Sequence, residues 1–448
     1  MDERWRAAIE ELNHRLVEEY AGREDLFDKL RSVQEDLGLL YDGRPTIPFL
    51  RPHFLSRKLY NKVMLAAETV AAAGEVLTEA ALKDDELLSR FDLTEIEKRL
   101  VRVDPGYSVT CANGRLDTFF DGDDFSFLEY NAETPSGPSD QRQIEKVLSH
   151  IPLLQAFLDE TPHWTPKPRP KLLQTLFTCY REHGGRERKP NIAIVDWDGV
   201  ETEPEFYVLK DYFESMGFRT LVADPGELEY NGKALHAGPF RVDILYKRVL
   251  IHELLEKYAG DHPIVHAYEA GDLCMINSFR VKVLHKKMSF AIFSDPQYES
   301  LFTSEQIAVL REHIPWTRKV EDSETTYLDH PVELLKLLRK HRERFVLKPN
   351  DDYGGKGVVL GWECSESEWD DAIQEALNDT FVVQEKAPVL QEAFPMYAED
   401  LSLETLLVDF DPYLFRNHAE GGMVRLSASS LVNVTQGGGQ TALFVLEG

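Results

Sequence analysis

The sequence is poor in the features that mark secreted, membrane-bound and disulfide-stabilised proteins. It has four cysteines in 448 residues, and Cys111, Cys179, Cys274 and Cys364 form no CxxC pair, which argues against a disulfide framework or a cysteine-based metal site. No stretch reaches the roughly 20 apolar residues of a membrane-spanning helix. The charged segment at residues 1–16 also lacks the apolar core of a signal peptide. We therefore expect a cytoplasmic protein with reduced thiols.

Positive charge is scarce as well. The chain has 50 lysines and arginines against 78 aspartates and glutamates, which gives a net charge of -28. Such a field repels phosphate backbones and anionic lipid, so neither nucleic acid nor a membrane surface is expected as a partner. Any site that handles phosphate must then be a local basic pocket, assisted by a metal ion. The oligomeric state cannot be read from the sequence, although a homodimer is the commonest arrangement.

What the chain does contain is 43% hydrophobic residues, enough for a sizeable core divided among two or three structural units. Apolar residues at three- and four-residue spacing predict a helical region over residues 1–105. Residues 106–160 begin with a period of two, which predicts antiparallel strands. Alternating strand and helix patterns over 190–275 predict a Rossmann-like layer, and residues 276–448 mix both element types. The expected fold class is α/β (α+β).

The strand pattern in residues 107–131 predicts a three-stranded meander. Its segments read YSVTCA, RLDTFF and FSFLEYN. The first turn is predicted at Asn113 and Gly114, and the second within residues 121–124.

Polar side chains interrupt the last two of these strands. Glu129 and Asn131 are two residues apart and share a face, and the second turn places Asp117 opposite Glu129. Two carboxylates and an amide oxygen form the all-oxygen cluster that magnesium takes when it also holds phosphate groups. The alternative is a solvated face on which Arg115 balances the carboxylates.

A second candidate site lies in FVLKPNDDYGGKGVVLG. A strand ends at Lys348, and a loop with Gly354, Gly355 and Gly357 precedes the next strand. Glycines let backbone N–H groups approach a ligand, and the lysine supplies a point charge, so the pair suits a polyphosphate. The spacing is not that of a Walker A motif. An ordinary glycine-rich hairpin with a solvated lysine is the alternative.

Two further segments near the C-terminus could contact such a ligand. Arg425 is a candidate clamp for phosphate or carboxylate, because its planar fork donates two parallel hydrogen bonds. Residues 436–439 form either an anion-binding nest or a flexible turn. Gln384, Glu385 and Lys386 follow an apolar strand and could form the polar rim of a base or ribose site.

Taken together, these motifs resemble the circularly permuted ATP-grasp ligases, the group that includes the synthetase domain of glutathionylspermidine synthetase. The resemblance rests on RLD, followed twelve residues after its Asp by EYNAETP, and on NSFRVKVLHKK, FVLKPNDDYGGKGV, VVQEK and GGMVRLSASSLVNVTQGGG. These motifs span residues 115–440. No papain-like amidase domain precedes them, and NVTQGGG looks more like bacterial relatives of unassigned substrate, so a polyamine substrate is not carried over.

The resemblance implies an ATP-grasp fold in circularly permuted order. Residues 106–160 would be the permuted part with the metal-binding strands, 190–275 the pre-ATP-grasp layer and 276–448 the nucleotide-binding domain. Magnesium ligands are implied for Asp117, Glu129 and Asn131, and contact with the transferred phosphate for Arg115 and Arg425. Nucleotide contacts are implied for Lys287 (more than Lys286), Lys348, Tyr353, Gly354, Gly355, Gly357, Gln384, Glu385 and Lys386.

The implied reaction is ATP-dependent ligation of a carboxylate to an amine. The γ-phosphate of ATP passes to a small-molecule or peptide carboxylate, and the amine displaces phosphate from the acyl phosphate, with ATP and Mg²⁺ as cofactors. A small-molecule kinase that ends at phosphorylation is a second hypothesis. A nucleotide-binding protein without turnover is a third.

Overall fold

The structure is a computed structural model that describes residues 3–41, 43–352, 354–398, 400–429 and 438–447. Within these residues the α-helices are α1 (Glu3–Tyr20), α2 (Glu24–Asp36), α3 (Arg57–Lys83), α4 (Asp85–Ser89), α5 (Glu95–Val101), α6 (Asp140–Leu148), α7 (Pro152–Glu160), α8 (Pro168–Glu182), α9 (Glu203–Ser215), α10 (Ile251–Tyr258), α11 (Pro263–Glu269), α12 (Lys282–His285), α13 (Met288–Phe293), α14 (Ser304–His313), α15 (Leu334–Lys340) and α16 (Glu366–Asn378). None of these helices is long and apolar enough to cross a membrane.

The strands of the same residues are β1 (Leu40–Tyr41), β2 (Arg44–Pro45), β3 (His53–Ser56), β4 (Asn113–Asp121), β5 (Asp124–Asn131), β6 (His163–Trp164), β7 (Ile192–Val195), β8 (Thr220–Ala223), β9 (Leu228–Tyr230), β10 (Leu235–Ala237), β11 (Phe240–Val242), β12 (Ile244–Lys247), β13 (Cys274–Ile276), β14 (Thr317–Lys319), β15 (Glu324–Tyr327), β16 (His330–Glu333), β17 (Phe345–Pro349), β18 (Val359–Leu360), β19 (Phe381–Glu385), β20 (Leu390–Tyr397), β21 (Leu401–Phe415), β22 (His418–Ser427), β23 (Gly439–Thr441) and β24 (Leu443–Leu446). The mixed α/β class expected from the sequence is confirmed.

The site is built on an antiparallel sheet with the order β23-β22-β21-β4-β5, in which β20 also pairs with β21. The long helix α3 packs on β21 and β22. Its first turn is capped by the Ser56 hydroxyl, which accepts a hydrogen bond from the Leu59 N–H at 3.2 Å. Gly74 lies in the middle of α3, where an added Cβ would come within 3.0 Å of Leu284. This glycine therefore lets α12 pack closely against α3.

Two smaller sheets flank the first. Parallel strands in the order β13-β12-β7-β8 form one of them, and helices α8 and α9 contribute to its core. Antiparallel strands in the order β14-β19-β17-β18 carry the predicted glycine-rich loop between β17 and β18. Helices α15 and α16 supply the buried residues against this small sheet.

The N-terminal region is mainly helical but also contains short strands. Strand β3 pairs in parallel with β24, which in turn pairs with β6. Leu12 and Leu16 of α1 share a core with Phe444 of β24. The two ends of the chain are therefore packed together.

The predicted three-stranded meander is wrong in its first strand. Residues 107–112 form no strand, and β4 begins at Asn113 instead of turning there. The Asn277 side chain accepts hydrogen bonds from the N–H groups of Ala112 and Asn113, at 2.9 and 3.0 Å. A side chain distant in sequence thus satisfies backbone groups that the local pattern assigned to a strand. Strand β21 pairs with β4 on the side opposite β5.

Candidate functional site

The three predicted metal ligands lie together on β4 and β5. Asp117 pairs with Glu129 across the two strands, and Arg115 pairs with Asn131, because the register shifts by one residue between Asp117 and Thr118. The Asn131 amide donates hydrogen bonds to Asp117 at 2.7 Å and to Glu129 at 3.1 Å. These contacts draw the two carboxylates and the amide into one cluster on a single face of the hairpin.

Both predicted phosphate-binding arginines contact this cluster through Asp117. The Arg115 Nε lies 2.9 Å from Asp117 Oδ1, and the Arg425 Nη2 lies 2.8 Å from Asp117 Oδ2. Burial alone would raise the pKa of Asp117, but the two guanidinium groups outweigh it and hold the pKa well below its ordinary value. Asp117 is therefore ionised at neutral pH and paired with two arginines.

The donor set can accommodate magnesium with a modest rearrangement. Asp117 and Glu129 offer carboxylate oxygens, and a 180° rotation of the Asn131 amide exchanges its nitrogen for its oxygen, an assignment that hydrogen bonding alone decides. Burial would raise the pKa of Glu129, but Lys287 leads the charges that lower it below the ordinary value. Both carboxylates are then available as anionic oxygen ligands.

Two aspartates that sequence analysis missed hold Arg425 from behind. Asp409 accepts hydrogen bonds from Arg425 Nε at 2.9 Å and from its Nη2 at 2.6 Å, and Asp411 Oδ2 lies 2.8 Å from the same Nη2. Both aspartates are fully buried on β21. Burial raises the pKa of Asp409 to about 6 and that of Asp411 well above its ordinary value. Their only sequence signal is a pair of acids two residues apart in the otherwise apolar run LLVDFDPYLF.

The predicted lysines approach the cluster from strand β17 and from the segment between α12 and α13. The Lys348 ammonium donates to Gln384 Oε1 at 2.7 Å, and the Lys287 ammonium lies 3.3 Å from Glu129 Oε2. Lys286 instead donates to the Asp92 carbonyl at 2.9 Å. Burial lowers the pKa of Lys348 to about 8. Of the two neighbouring lysines, Lys287 is therefore the one that faces the site.

A cavity of about 420 Å³, the first cavity, lies between the small sheet and the Asp117 cluster. Its polar wall contains most of the residues predicted to contact nucleotide, namely Lys287, Lys348, Gly355, Gln384, Glu385 and Lys386. Apolar side chains complete it, among them Leu128, Val346, Leu360, Val389 and Leu407. A space with one apolar and one cationic wall suits a ligand with a flat ring and an anionic tail.

The glycine-rich loop borders this cavity. Gly354, Gly355 and Gly357 all have positive φ, and a Cβ on Gly357 would lie 2.7 Å from Pro349. Gly357 itself lines neither of the two cavities described for this site. The predicted contact of Tyr353 falls on a residue outside the described ranges.

The loop at residues 436–439, for which the sequence left two interpretations open, is described only in part. Residues 436 and 437 lie outside the described ranges. The Gly438 carbonyl accepts a hydrogen bond from Arg44 at 3.1 Å, and Gly439 begins β23.

A second cavity of about 560 Å³ opens on the other side of the cluster. Its wall is strongly acidic, and the acids beyond the cluster are Asp140, Asp196, Glu201, Glu205 and Glu253. The first and second cavities share Asp117, Glu129, Gly355 and Arg425. Ligands held in the two cavities would therefore meet at the predicted metal and phosphate residues.

Several acids of the second cavity lie close together. Burial, together with the nearby charge of Glu205, raises the pKa of Asp140 to about 7. Glu205 accepts the Gly137 N–H at 2.8 Å, and its other oxygen lies 3.5 Å from Arg248. Sequence analysis missed these residues, because they come from the start of α6 and from the parallel-sheet layer.

Comparison with known proteins adds information on the fold. No family model matches the chain, and no curated protein matches it. Among solved structures, a glutathione synthetase-like effector from Globodera pallida in its apo form has a TM-score of 0.59 and 12% identity, over 94% of this chain and 96% of the other. A candidate gamma-glutamylcysteine synthetase from Methylobacillus flagellatus has a TM-score of 0.41 and 9% identity, over 85% of each chain, too low to bear on the fold. The chain therefore shares its overall fold with this effector.

Proposed function

We propose that the protein is an ATP-dependent carboxylate–amine ligase of the circularly permuted ATP-grasp type. It would activate a small-molecule or peptide carboxylate as an acyl phosphate, form an amide with an amine, and release ADP and phosphate. One observation carries the proposal: a cation-walled cavity and an acid-walled cavity share Asp117, Glu129 and Arg425. The synthetase-like fold supports the same class of reaction.

The first cavity is the proposed ATP site. Its apolar side chains would enclose the adenine, and Gln384 to Lys386 on β19 would border the base. Lys348 and Lys287 would then lie along the phosphates, with the glycine-rich loop over them. The strands that carry the cluster, β4 and β5, precede β17 and β19 in the chain, which is the order expected of the permuted fold.

Asp117, Glu129 and Asn131 would hold magnesium at the junction of the cavities. When bound, the ion would offset the negative charge on the transferring phosphoryl group. Arg115 and Arg425 already converge on Asp117 and would donate hydrogen bonds to oxygens of that group. Asp409 keeps the Arg425 guanidinium pointed at the junction.

The acidic second cavity supports an amine as the acceptor. An ammonium group entering it would be attracted by Asp140, Glu205 and Asp196, whereas a phosphorylated or polycarboxylate acceptor would be repelled. The carboxylate to be activated must then reach only the arginines at the junction. This division of charge favours ligation over phosphorylation of an anionic small molecule.

The experiment that tests the function begins with a thermal-shift titration of ATP, with and without magnesium. Wild type should be stabilised by ATP only with magnesium, and both Glu129→Gln and Lys348→Ala should lose the shift. Lys336→Ala is the matched control, because Lys336 is exposed on α15 and forms its ion pair with Glu333 at the surface. No shift in wild type at millimolar ATP would contradict the proposal.

A second stage identifies the reaction. ADP release is measured with pairs of carboxylates and amines, and the products are analysed by mass spectrometry. An amide that requires both substrates supports the ligase. A stable phosphorylated product formed without any amine would indicate the kinase instead.

A further inference from the structure

A buried lysine outside the proposed ATP contacts links the two cavities. The side chain of Lys282, the first residue of α12, is fully buried. Its ammonium lies 2.7 Å from Glu133 Oε1 and 2.6 and 2.8 Å from the two oxygens of Asp351. A lysine is rarely buried this completely unless carboxylates surround it. Lys282 therefore connects the segment of Glu133 with the segment of Asp351, and we call this pair of contacts the bridge.

The bridge excludes a metal ion from the same place. Glu133, His285 and Asp351 have ligand atoms within 4.8 Å of one another, as a metal site would require. The Lys282 ammonium, however, already contacts both carboxylates of this group. Burial by itself would lower the pKa of Lys282, but Glu133 and Asp351 outweigh it and raise the pKa above its ordinary value. The bridging group is a permanent cation.

One end of the bridge belongs to the wall of the second cavity. Glu133 follows β5, and its Oε2 accepts the Ile251 N–H at the start of α10 at 2.8 Å. Thr134 and Pro135, the next residues, line the second cavity. Glu133 is thus fixed to both the metal-site hairpin and the parallel-sheet layer.

The other end holds the stem of the glycine-rich loop, residues 350–352. Asn350 is independently fixed, because its carbonyl accepts the Lys287 N–H at 2.9 Å and its side chain accepts the Met288 N–H at 3.0 Å. Asp351 is the next residue, and Lys286 adds a contact to it at 3.3 Å. The loop glycine Gly355 lines both cavities. The position of this loop is thereby linked to the wall of the second cavity.

We propose that Lys282 is a positioning residue that fixes the glycine-rich loop relative to the wall of the second cavity. In combination with the proposed function, on which this consequence rests, it holds the loop where backbone N–H groups can meet the phosphates of ATP. Loss of the bridge should release the loop without altering the apolar pocket for the base. Affinity for phosphate-bearing ligands should fall, and affinity for adenosine should not.

The first test is hydrogen–deuterium exchange on the protein without nucleotide. Lys282→Met and Asp351→Asn should each raise exchange in peptides covering residues 350–358, while peptides from α16 stay unchanged. Lys282→Arg, which keeps the charge, should restore most of the protection. If Lys282→Met does not fold, Asp351→Asn carries the test, because its side chain is 21% exposed and the substitution is isosteric. Unchanged exchange over residues 350–358 in a folded variant overturns the proposal.

The second test compares ligands with and without phosphates. The Kd of ATP with magnesium, from calorimetry, should rise about tenfold or more in Lys282→Met and Asp351→Asn, the effect of loosening charge-assisted contacts. Adenosine binding, followed by ligand-observed NMR, should change less than about twofold. Equal losses for ATP and adenosine would mean that the bridge is merely structural and would overturn the positioning role. If exchange rises but wild type binds neither ligand, the proposed function fails and the bridge to the loop stands.

Discussion

The two cavities share an edge but differ in charge. The first is lined by Lys287, Lys348, Lys356 and Lys386, whereas the second is lined by five carboxylates beyond the shared pair and by Arg115 and Arg248. In a chain of net charge -28, the lysines are concentrated on one side of the Asp117 cluster. A local field of this kind can sort ligands in a way that the overall charge cannot. Each cavity should therefore select the ligand that the other repels.

The largest effect is expected when one acid of the second cavity is neutralised. Glu205→Gln keeps an acceptor for the Gly137 N–H but removes a charge from the wall of the second cavity, where the acceptor amine is proposed to bind. The KM of the amine should rise about 10- to 100-fold, corresponding to the ~1.5–3 kcal/mol of a hydrogen bond to a charged group, while the Kd of ATP stays constant. Steady-state kinetics with the amine found by the product screen measures both.

Glu214→Gln is the matched control, because Glu214 lies on the same helix, is exposed, and pairs with Lys210. If the Glu205 variant weakened the binding of ATP and of the amine equally, the charges of the two cavities would not act separately, and the prediction would be contradicted.

The second prediction concerns the lysines of the first cavity and the pH dependence of ATP affinity. Burial holds the pKa of Lys348 at about 8 in the free protein, below its ordinary 10.5. Phosphate oxygens favour the charged ammonium, so ATP binding should raise this pKa and take up a proton from solution above about pH 8. ATP affinity should then fall as pH rises from about 8 to 10, by up to roughly tenfold per pH unit.

Calorimetry in buffers of different ionisation enthalpy measures the proton uptake directly. Lys348→Arg should remove both the uptake and this part of the pH slope, because arginine stays charged. The same pKa shift also predicts the direction in which the stability of the folded protein changes with pH. The folded protein releases the Lys348 proton near pH 8 and the unfolded chain near 10.5, so this group's contribution to stability rises with pH across that window. A pH-independent ATP affinity in wild type would contradict the prediction.

Part of this site could be read from the sequence because its geometry is local. The hairpin turn and the two-residue period of a strand predict that Asp117 and Glu129 come close, but their direct pairing also needs the register shift between Asp117 and Thr118, which the sequence pattern does not show. Lys348 at a strand end and the glycines after it are likewise set by their neighbours in the chain. Apart from the register shift, these features needed no knowledge of the tertiary fold.

The missed residues are those brought in by packing between distant segments. Asp409 reaches Arg425 because β21 and β22 pair, and Asp140 reaches Glu205 only when α6 packs near the parallel sheet. The error over residues 107–112 has the same origin, since the Asn277 side chain satisfies backbone groups from far along the sequence. For this reason the sequence did not show that these acids line one cavity, although each acid is present in it.

The smallest effect is expected at the shared edge, where Asp409 and Asp411 lie side by side on β21. Burial raises the pKa of Asp411 well above its ordinary value, which favours the neutral carboxyl, and asparagine is a close isostere of that form. Asp411 Oδ1 accepts the Thr118 N–H at 2.9 Å, which an amide oxygen can also do. Asp411→Asn should therefore change the free energy of unfolding by less than about 1 kcal/mol, whereas Asp409→Asn, which weakens two bonds to Arg425, should cost about 1.5–3 kcal/mol.

Urea denaturation as a function of pH separates the two aspartates. A carboxyl whose folded pKa is raised binds its proton more tightly in the folded state, so it contributes stability at low pH that is lost as pH rises through the ordinary pKa towards the folded one. Asp411→Asn should remove that contribution and leave ATP affinity unchanged. A large loss of ATP affinity in this variant would mean that Asp411 is ionised and orients Arg425 together with Asp409. The arginine geometry at the shared edge would then depend on both acids.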